Sequence, residues 1–229
     1  MKKIIGIIIV LLIFGSYLQT VTSDETKLNN NRIQEDIFNR IIEKLMDYGH
    51  FPSVSACIIK GDEVVWSKSY GYSNIGNVKY ANIDNSYHIQ SVTKTITGTA
   101  LMQLYEEDLF DLDEDVNNYL PFSLRNPQYP ETPITFRMLL SHSSSINNIH
   151  IMYPYDDFLN LYPMPWLEAF FVPDGDYYFS DHWTDSKPGE ICSYANLNYD
   201  MIGYLVEVIS GQDFVEYCEE NIFNPPGYG

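Results

Sequence analysis

Residues Ile89–Pro121 read IQSVTKTITGTALMQLYEEDLFDLDEDVNNYLP. Ile96, Ala100 and Leu104 recur at four-residue steps, which predicts a helix starting near Ser91. Most residues of its first two turns are Val, Thr, Ile or Gly, each disfavoured in helices by roughly 0.3 to 1 kcal/mol relative to Ala. Because such a helix needs tertiary burial to form, we expect it at the centre of the fold.

The same helix carries Ser91-Val92-Thr93-Lys94, a Ser-x-x-Lys motif. Side chains three residues apart share a helix face, so the Lys94 ammonium is expected within hydrogen-bond reach of the Ser91 hydroxyl. A serine hydroxyl becomes a good nucleophile when a base takes its proton, and a desolvated lysine serves as that base or as its electrostatic partner. With 18 serines and 9 lysines, about 0.7 such motifs arise by chance, so a helix-capping serine followed by a solvated lysine fits equally well.

A second motif is Tyr194-Ala195-Asn196, a Tyr-x-Asn next to a predicted helix. A phenol near a lysine is shifted towards phenolate and can act as a general base, and an asparagine amide can bind a substrate amide. About 1.5 Tyr-x-Asn motifs are expected by chance, and the chain holds two others, Tyr72-Ser73-Asn74 and Tyr80-Ala81-Asn82. A turn tyrosine beside a capping asparagine is therefore the alternative interpretation.

The rest of the pattern combines one hairpin with several helices. Apolar residues from Ile33 to Leu45 predict an amphipathic helix that ends at Gly49. Two runs rich in β-branched residues, Val54–Ile59 and Val64–Tyr70, predict a β-hairpin with a short polar turn. Three further helices are predicted at Thr135–Leu140, at Leu197–Val208 before Gly211, and at Phe214–Ile222.

Four ordered blocks of sequence carry a family resemblance. They are Val54–Gly71 (VSACIIKGDEVVWSKSYG), the opening stretch, Phe136–Ser143 (FRMLLSHS) and Pro188–Gly211 (PGEICSYANLNYDMIGYLVEVISG). In order and spacing they closely resemble the serine β-lactamase-related family, which groups class C β-lactamases with penicillin-binding D-alanyl-D-alanine carboxypeptidases and related esterases. The resemblance implies an α/β fold of the β-lactamase/transpeptidase type, an antiparallel sheet flanked by helices plus an all-helical subdomain, present here as its N-terminal portion.

The resemblance also implies roles for the two motifs. Ser91 would be the acylated nucleophile, Lys94 its activating partner, Tyr194 the general base, and Asn196 a substrate-positioning amide. The implied reaction is acyl transfer to serine followed by hydrolysis, on a β-lactam, a D-alanyl peptide or a small ester, with neither a metal nor an organic cofactor. His142 matches a family position that looks structural.

Three departures from the family pattern stand out. Asp108 and Ser145 occupy positions where the family usually has glycine, which makes both turns costlier. The family's downstream strand motif, Lys-Thr-Gly or His-x-Gly, is not found before Gly229. We therefore expect residues 32–229 to form an incomplete hydrolase domain, weak or inactive alone, whose exposed hairpin edge could pair with a complementing chain or fragment. The rival hypothesis is a non-catalytic binding module derived from the same family.

The N-terminus and the charge bear on location and partners. Residues 1–23 combine Lys2 and Lys3, an aliphatic run and small residues, which predicts a signal peptide. The alternative is an uncleaved anchor formed by residues 4–18, so the protein is expected to be secreted or held at the outer side of a membrane. Residues 24–31 are expected to form a polar linker. A net charge of −18 argues against nucleic acid as a partner.

Three other features carry weaker expectations. Residues 151–183 are rich in aromatic residues and proline, and they either form a lid-like pocket wall or pack inside the helical part. Cys57 and Cys218 are expected to be small buried residues, and with Cys192 they lack metal-site spacing. Asp111-x-Asp113-x-Asp115 starts like a calcium loop but lacks its glycine and its glutamate, so a solvated acidic loop is expected.

Overall fold

The computed structural model describes residues 24–61, 63–147 and 166–224. Its backbone contacts divide the chain into two compact units, one ending at Gln90 and the other starting at Ser91. The leader-like residues 1–23 lie outside the described residues. Within the described ranges, no helix is both long enough and apolar enough to span a bilayer.

The first unit consists of a long helix and an antiparallel sheet. Helix α1 spans Asp24–Gly49, and the strands are β1 (Ser53–Lys60), β2 (Glu63–Asn74) and β3 (Lys79–Tyr80). The strand order is β1-β2-β3, with Ser53 opposite Gly71 and Lys60 opposite Glu63. The predicted hairpin is confirmed, and β1 forms one edge of the sheet as described.

Helix α1 and strand β2 share specific contacts. The Tyr70 hydroxyl donates a 2.6 Å hydrogen bond to Asn39 Oδ1, and the Phe38 and Trp66 rings lie 5.8 Å apart. The expected apolar face is only half-buried, because Ile37 and Ile41 are 51% and 48% exposed. Residues 24–31, expected as a polar linker, form the first turns of α1.

The second unit is helical. Its described residues form the α-helices α2 (Thr93–Glu106), α3 (Phe136–Leu140), α4 (Trp166–Phe171), α5 (Asn196–Ser210) and α6 (Phe214–Cys218), followed by a π-helical turn at Glu219–Phe223. Gly211 closes α5 with a left-handed φ of 71°, as its position in the sequence predicted. The helix predicted at Phe214–Ile222 is α-helical as far as Cys218 and π-helical after it.

The core of the second unit forms around α2 and α5. Ala100, Leu101 and Leu104 of α2 are buried, and so are Met201 and Leu205 of α5. The expected central position of α2 holds for one face only, because Thr95 and Thr99 on its other face are exposed. Both exposed threonines satisfy their hydroxyls within the helix, donating to Val92 O at 2.7 Å and to Thr95 O at 2.8 Å.

The acidic stretch after α2 is held by arginine pairs. Arg137 donates to both carboxylate oxygens of Asp113, at 2.7 and 2.9 Å, and Arg125 pairs with Asp115. These carboxylates therefore serve loop structure, and the described residues contain no cluster suited to a metal ion.

The aromatic segment lies partly outside the described residues, at 148–165. In its described part Phe170, Phe171 and Trp183 are buried in the core, whereas Phe179 is 56% exposed. The packing interpretation thus applies to Phe170, Phe171 and Trp183 but not to Phe179. The prediction for Cys57 was wrong because its strand faces solvent on that side, whereas Cys218 is buried as expected.

Candidate active site

Ser91 lies at the N-terminal approach to α2, not inside it. Residues Gln90–Val92 form a 3-10 turn and the α-helix begins at Thr93, two residues later than the sequence suggested. Gln90 has a left-handed φ of 50°, an uncommon conformation for a residue with a side chain. The Ser91 side chain is exposed, so its hydroxyl is accessible from solvent.

Tyr194 contacts Ser91 within the second unit. The Ser91 Oγ and the Tyr194 hydroxyl lie 2.8 Å apart, a hydrogen bond in which either group can be the donor. Tyr194 is 47% exposed and precedes α5 by two residues. The two sequence motifs are thus brought together by the packing of α2 against α5.

Lys94 is placed differently from the sequence prediction. Its ammonium donates a 2.8 Å hydrogen bond to Asn196 Oδ1, and in the described structure it makes none to the Ser91 hydroxyl. The ammonium lies 5.2 Å from the centre of the Tyr194 ring and 5.7 Å from that of Tyr199. Because Ser91 belongs to the 3-10 turn and Lys94 to the helix, the two do not share the regular helical face assumed from the motif.

The electrostatics favour a reactive phenol. The pKa of Tyr194 is lowered from its ordinary value, first by its interaction with the Lys94 ammonium and then by the Ser91 hydrogen bond. A lowered pKa increases the phenolate fraction near neutral pH, which is what a general base requires. The arrangement can therefore take a proton from the Ser91 hydroxyl directly.

His142 supports the segment that carries Tyr194. Its Nδ1 accepts a 3.3 Å hydrogen bond from the Ala195 backbone N–H, and its carbonyl accepts one of 2.7 Å from Ser193 N–H. The His142 ring centre lies 4.6 Å from that of Tyr194. Burial, and next the Lys94 charge, lower the pKa of His142, which favours the neutral ring that this acceptor role needs. These contacts agree with the structural role that the resemblance implied.

Sequence reasoning did not single out three residues near the site. Asn198 is buried, contacts His142 Nδ1 at 3.2 Å and accepts a hydrogen bond from Ser144. Tyr199 faces Lys94, and Asp200 interacts electrostatically with it. The helical spacing was the available signal, since Asp200 follows Asn196 by four residues and so shares its face.

Both predicted departures from glycine are visible in the backbone. Asp108 has a φ of 57° and Ser145 a φ of 67°, so each non-glycine residue adopts the left-handed conformation. This conformation costs roughly 1 to 2 kcal/mol per residue. Ser145 recovers part of this through its hydroxyl, which accepts a 3.1 Å hydrogen bond from Asn126 Nδ2.

Comparison with known proteins agrees with the fold. Residues 38–228 match the family model described as Beta-lactamase. The chain belongs to the beta-lactamase family. Within this family it is 27% identical over 207 residues to Protein flp of Staphylococcus aureus (strain N315), across 87% of this chain.

Solved structures give the same result. An octameric penicillin-binding protein homologue from Pyrococcus abyssi aligns with a TM-score of 0.60 at 29% identity, over 82% of this chain and 42% of that one. A D-stereospecific amidohydrolase from Streptomyces sp. aligns with a TM-score of 0.51 at 26% identity, over 76% of this chain and 49% of that one. The chain spans 38% of the length of the Staphylococcus aureus relative. Family membership makes a hydrolase the expected class of protein.

Proposed function

We propose that this chain is a serine hydrolase that reacts through an acyl-enzyme at Ser91. The observation that carries the proposal is the 2.8 Å contact between the Ser91 hydroxyl and the Tyr194 phenol. In the ionised state of Tyr194, the phenolate oxygen lies where it can accept the serine proton as Ser91 attacks a carbonyl carbon. Lys94 supplies the nearby positive charge that favours this state.

Every proton moved in the proposed reaction is exchanged between Ser91, Tyr194, the leaving group and water. Ser91 Oγ forms a bond to the acyl carbon while its proton moves to the Tyr194 oxygen. As the bond to the leaving group breaks, Tyr194 returns that proton to the departing nitrogen or oxygen. A water molecule then donates a proton to Tyr194 and adds to the acyl carbon; as the bond to Ser91 breaks, Tyr194 passes that proton to the Ser91 oxygen, which regenerates both the hydroxyl and the phenolate.

Asn196 is suited to a positioning role. It begins α5, its side chain is exposed, and its Oδ1 accepts from Lys94. We propose that its amide binds an amide group of the substrate. The substrate classes that fit are a β-lactam, a D-alanyl peptide or a small ester; the names of the penicillin-binding homologue and the D-stereospecific amidohydrolase favour the first two.

We further propose that the reaction takes place outside the cytoplasm, on the evidence of the leader-like sequence of residues 1–23. Among the described residues β1 forms one edge of the sheet, and we propose that a complementing chain or fragment pairs with it, because an edge strand presents unpaired backbone groups. Both proposals extend the family assignment and neither is needed for the chemistry at Ser91.

Intact-mass spectrometry tests the proposal. The full chain is incubated with benzylpenicillin and, separately, with a fluorophosphonate, beside Ser91→Ala and the control variant Ser123→Ala, another exposed serine of the same unit. We expect one adduct in the wild type and in Ser123→Ala and none in Ser91→Ala. No adduct on a chain that circular dichroism shows to be folded would favour the binding-module hypothesis. Rapid adduct loss would contradict the expectation of weak turnover.

A further inference from the structure

Asn198 is a buried amide on α5, two residues after the exposed Asn196. Its relative exposure is 0%, so its side chain lies inside the packed helical unit. Burying an amide group costs free energy unless its donors and its acceptor are paired. The partners of this amide therefore indicate what it holds in place.

Both ends of the Asn198 amide contact one short segment that follows α3. Its Oδ1 accepts a hydrogen bond from Ser144 Oγ, and its Nδ2 lies 3.2 Å from His142 Nδ1. Ser144 Oγ in turn accepts a 3.2 Å hydrogen bond from the Ile146 backbone N–H. Asn198 thus fixes residues 142–146 to α5.

These contacts determine where the His142 ring carries its proton. The Ala195 backbone N–H can only donate, so His142 Nδ1, 3.3 Å away, is an acceptor. Because Asn198 Oδ1 accepts from Ser144, the amide N–H₂ group faces the same ring nitrogen and donates to it as well. A neutral imidazole whose Nδ1 accepts carries its proton on Nε2. Asn198 therefore favours the Nε2–H tautomer of His142.

His142 holds the chain on both sides of Tyr194. Its carbonyl oxygen accepts a 2.7 Å hydrogen bond from Ser193 N–H, and its Nδ1 accepts the one from Ala195 N–H. The centre of its ring also lies 4.6 Å from that of Tyr194. The place of the Tyr194 hydroxyl, 2.8 Å from Ser91 Oγ, therefore depends on the orientation of the His142 ring.

We propose that Asn198 is a positioning residue for Tyr194, acting through His142. Its amide keeps His142 Nδ1 unprotonated and facing the Ala195 N–H. This geometry holds the Tyr194 hydroxyl within hydrogen-bond distance of Ser91. Loss of the amide should slow acylation, since a misplacement of about 1 Å can cost roughly 10²-fold in rate. The effect on acylation rests on the proposed function of the site, whereas the tautomer of His142 does not.

The first test reads the tautomer and needs no substrate. Histidine is labelled with 15N in the full chain, and the ring signals of His142 are assigned through their couplings to its own backbone. Spectra are taken at pH 8, where the lowered pKa of His142 leaves the ring neutral. We expect an unprotonated Nδ1 and a protonated Nε2 in the wild type. A protonated Nδ1 in the wild type would overturn the proposal.

Two variants then test whether Asn198 causes this state. Asn198→Asp replaces the donating N–H₂ group by an oxygen that accepts, so a proton should move to His142 Nδ1. Asn198→Ala removes the donor without adding an acceptor and should give a mixture of the two tautomers. The matched control is Asn126→Asp, at another fully buried asparagine, whose amide donates to Ser145 Oγ and Thr184 O, and it should keep the wild-type tautomer. An unchanged His142 tautomer in the folded Asn198 variants would overturn the proposal.

The second test measures the effect on acylation. Rates of adduct formation are measured over a range of benzylpenicillin concentrations for the wild type, the two Asn198 variants and Asn126→Asp. We expect the limiting rate to fall roughly 10- to 100-fold in the Asn198 variants at an unchanged half-saturating concentration, because a displaced base slows proton transfer and leaves binding intact. The control should acylate as the wild type does.

Wild-type limiting rates in the folded Asn198 variants would overturn the proposal. Absence of an adduct in every protein would refute the proposed function of Ser91, while the spectra would still decide whether Asn198 sets the tautomer of His142.

Discussion

The Ser91 hydroxyl and the Tyr194 phenol form a 2.8 Å hydrogen bond although 103 residues separate them in the chain. The contact is made inside the helical unit, because Ser91 precedes α2, Tyr194 precedes α5, and these two helices pack together. The groups that would activate the serine are therefore held by one packed core. A change to the phenol oxygen alone should affect chemistry without disturbing this packing.

Tyr194→Phe is expected to slow adduct formation at Ser91 by roughly 10² to 10⁴-fold, the usual contribution of a general base. The ring stays, so its contacts with Lys94 and His142 stay as well. The matched control is Tyr199→Phe, which removes the hydroxyl of another tyrosine whose ring lies near Lys94, a hydroxyl that donates to Leu140 O at 3.3 Å. Stopped-flow acylation kinetics measure both. Equal rates in Tyr194→Phe and the wild type would show that another group takes the proton.

The pH dependence of acylation should depend on Lys94. In the wild type the lowered pKa of Tyr194 places the rising limb of the acylation rate below pH 10, the ordinary value for a phenol. Lys94→Met removes the largest cause of that lowering, so the limb should move to higher pH. The measurement is 13C NMR of labelled tyrosine, with the Tyr194 signal assigned from Tyr194→Phe. A Tyr194 midpoint that is the same in both proteins would contradict this origin of the shift.

The turn after α2 offers a stability prediction. Asp108 adopts a φ of 57°, where the family resemblance predicted a glycine position. Asp108→Gly should raise the free energy of unfolding by about 0.5 to 1 kcal/mol, since relief of the left-handed strain exceeds the entropy that glycine adds to the unfolded chain. Glu107→Gly is the control, because Glu107 has a φ of −86° and should lose stability instead. Urea unfolding measures both variants. A loss of stability in Asp108→Gly would mean that the aspartate side chain supports the turn.

Local patterns predicted most elements and pointed to the candidate site residues. The hairpin, α3 and the Gly211 end of α5 follow from β-branched runs, an N-capping threonine and a helix-terminating glycine, all of which act over a few residues. Likewise, the two motifs at Ser91 and Tyr194 were recognisable because their order and spacing match a family. These features need no knowledge of distant contacts.

Contacts between distant segments were harder to predict. The Lys94 ammonium bonds to Asn196, 102 residues away, and not to the serine in its own motif. Helical periodicity placed Ser91 and Lys94 on one face, but the 3-10 turn at Gln90–Val92 changes that geometry. The same applies to Cys57, whose apolar neighbours suggested burial although its side of the strand faces solvent. Contacts between distant segments determine where these side chains lie. A single sequence gives only indirect information about such contacts.

Asp200→Asn should make the protein more stable at neutral pH. The pKa of Asp200 is raised from 3.8 to about 6 in the folded chain, so the folded state holds its proton more tightly than the unfolded state does. Below pH 3.8 both states are protonated and this carboxyl group has no effect on stability. Between pH 3.8 and 6 its effect grows increasingly unfavourable, and above pH 6 it reaches at most about 3 kcal/mol.

Urea unfolding at pH 4 and pH 7.5 checks this expectation. The variant should exceed the wild type in free energy of unfolding by up to about 3 kcal/mol at the higher pH, and the difference should shrink strongly at the lower one. Asp174→Asn, at an exposed position, should show no such pH-dependent difference. A stability gain that is the same at both pH values would mean that the asparagine improves packing. It would also mean that the folded chain does not disfavour the ionised form of Asp200. A gain confined to high pH would show that it comes from removing a carboxylate whose ionised form burial disfavours.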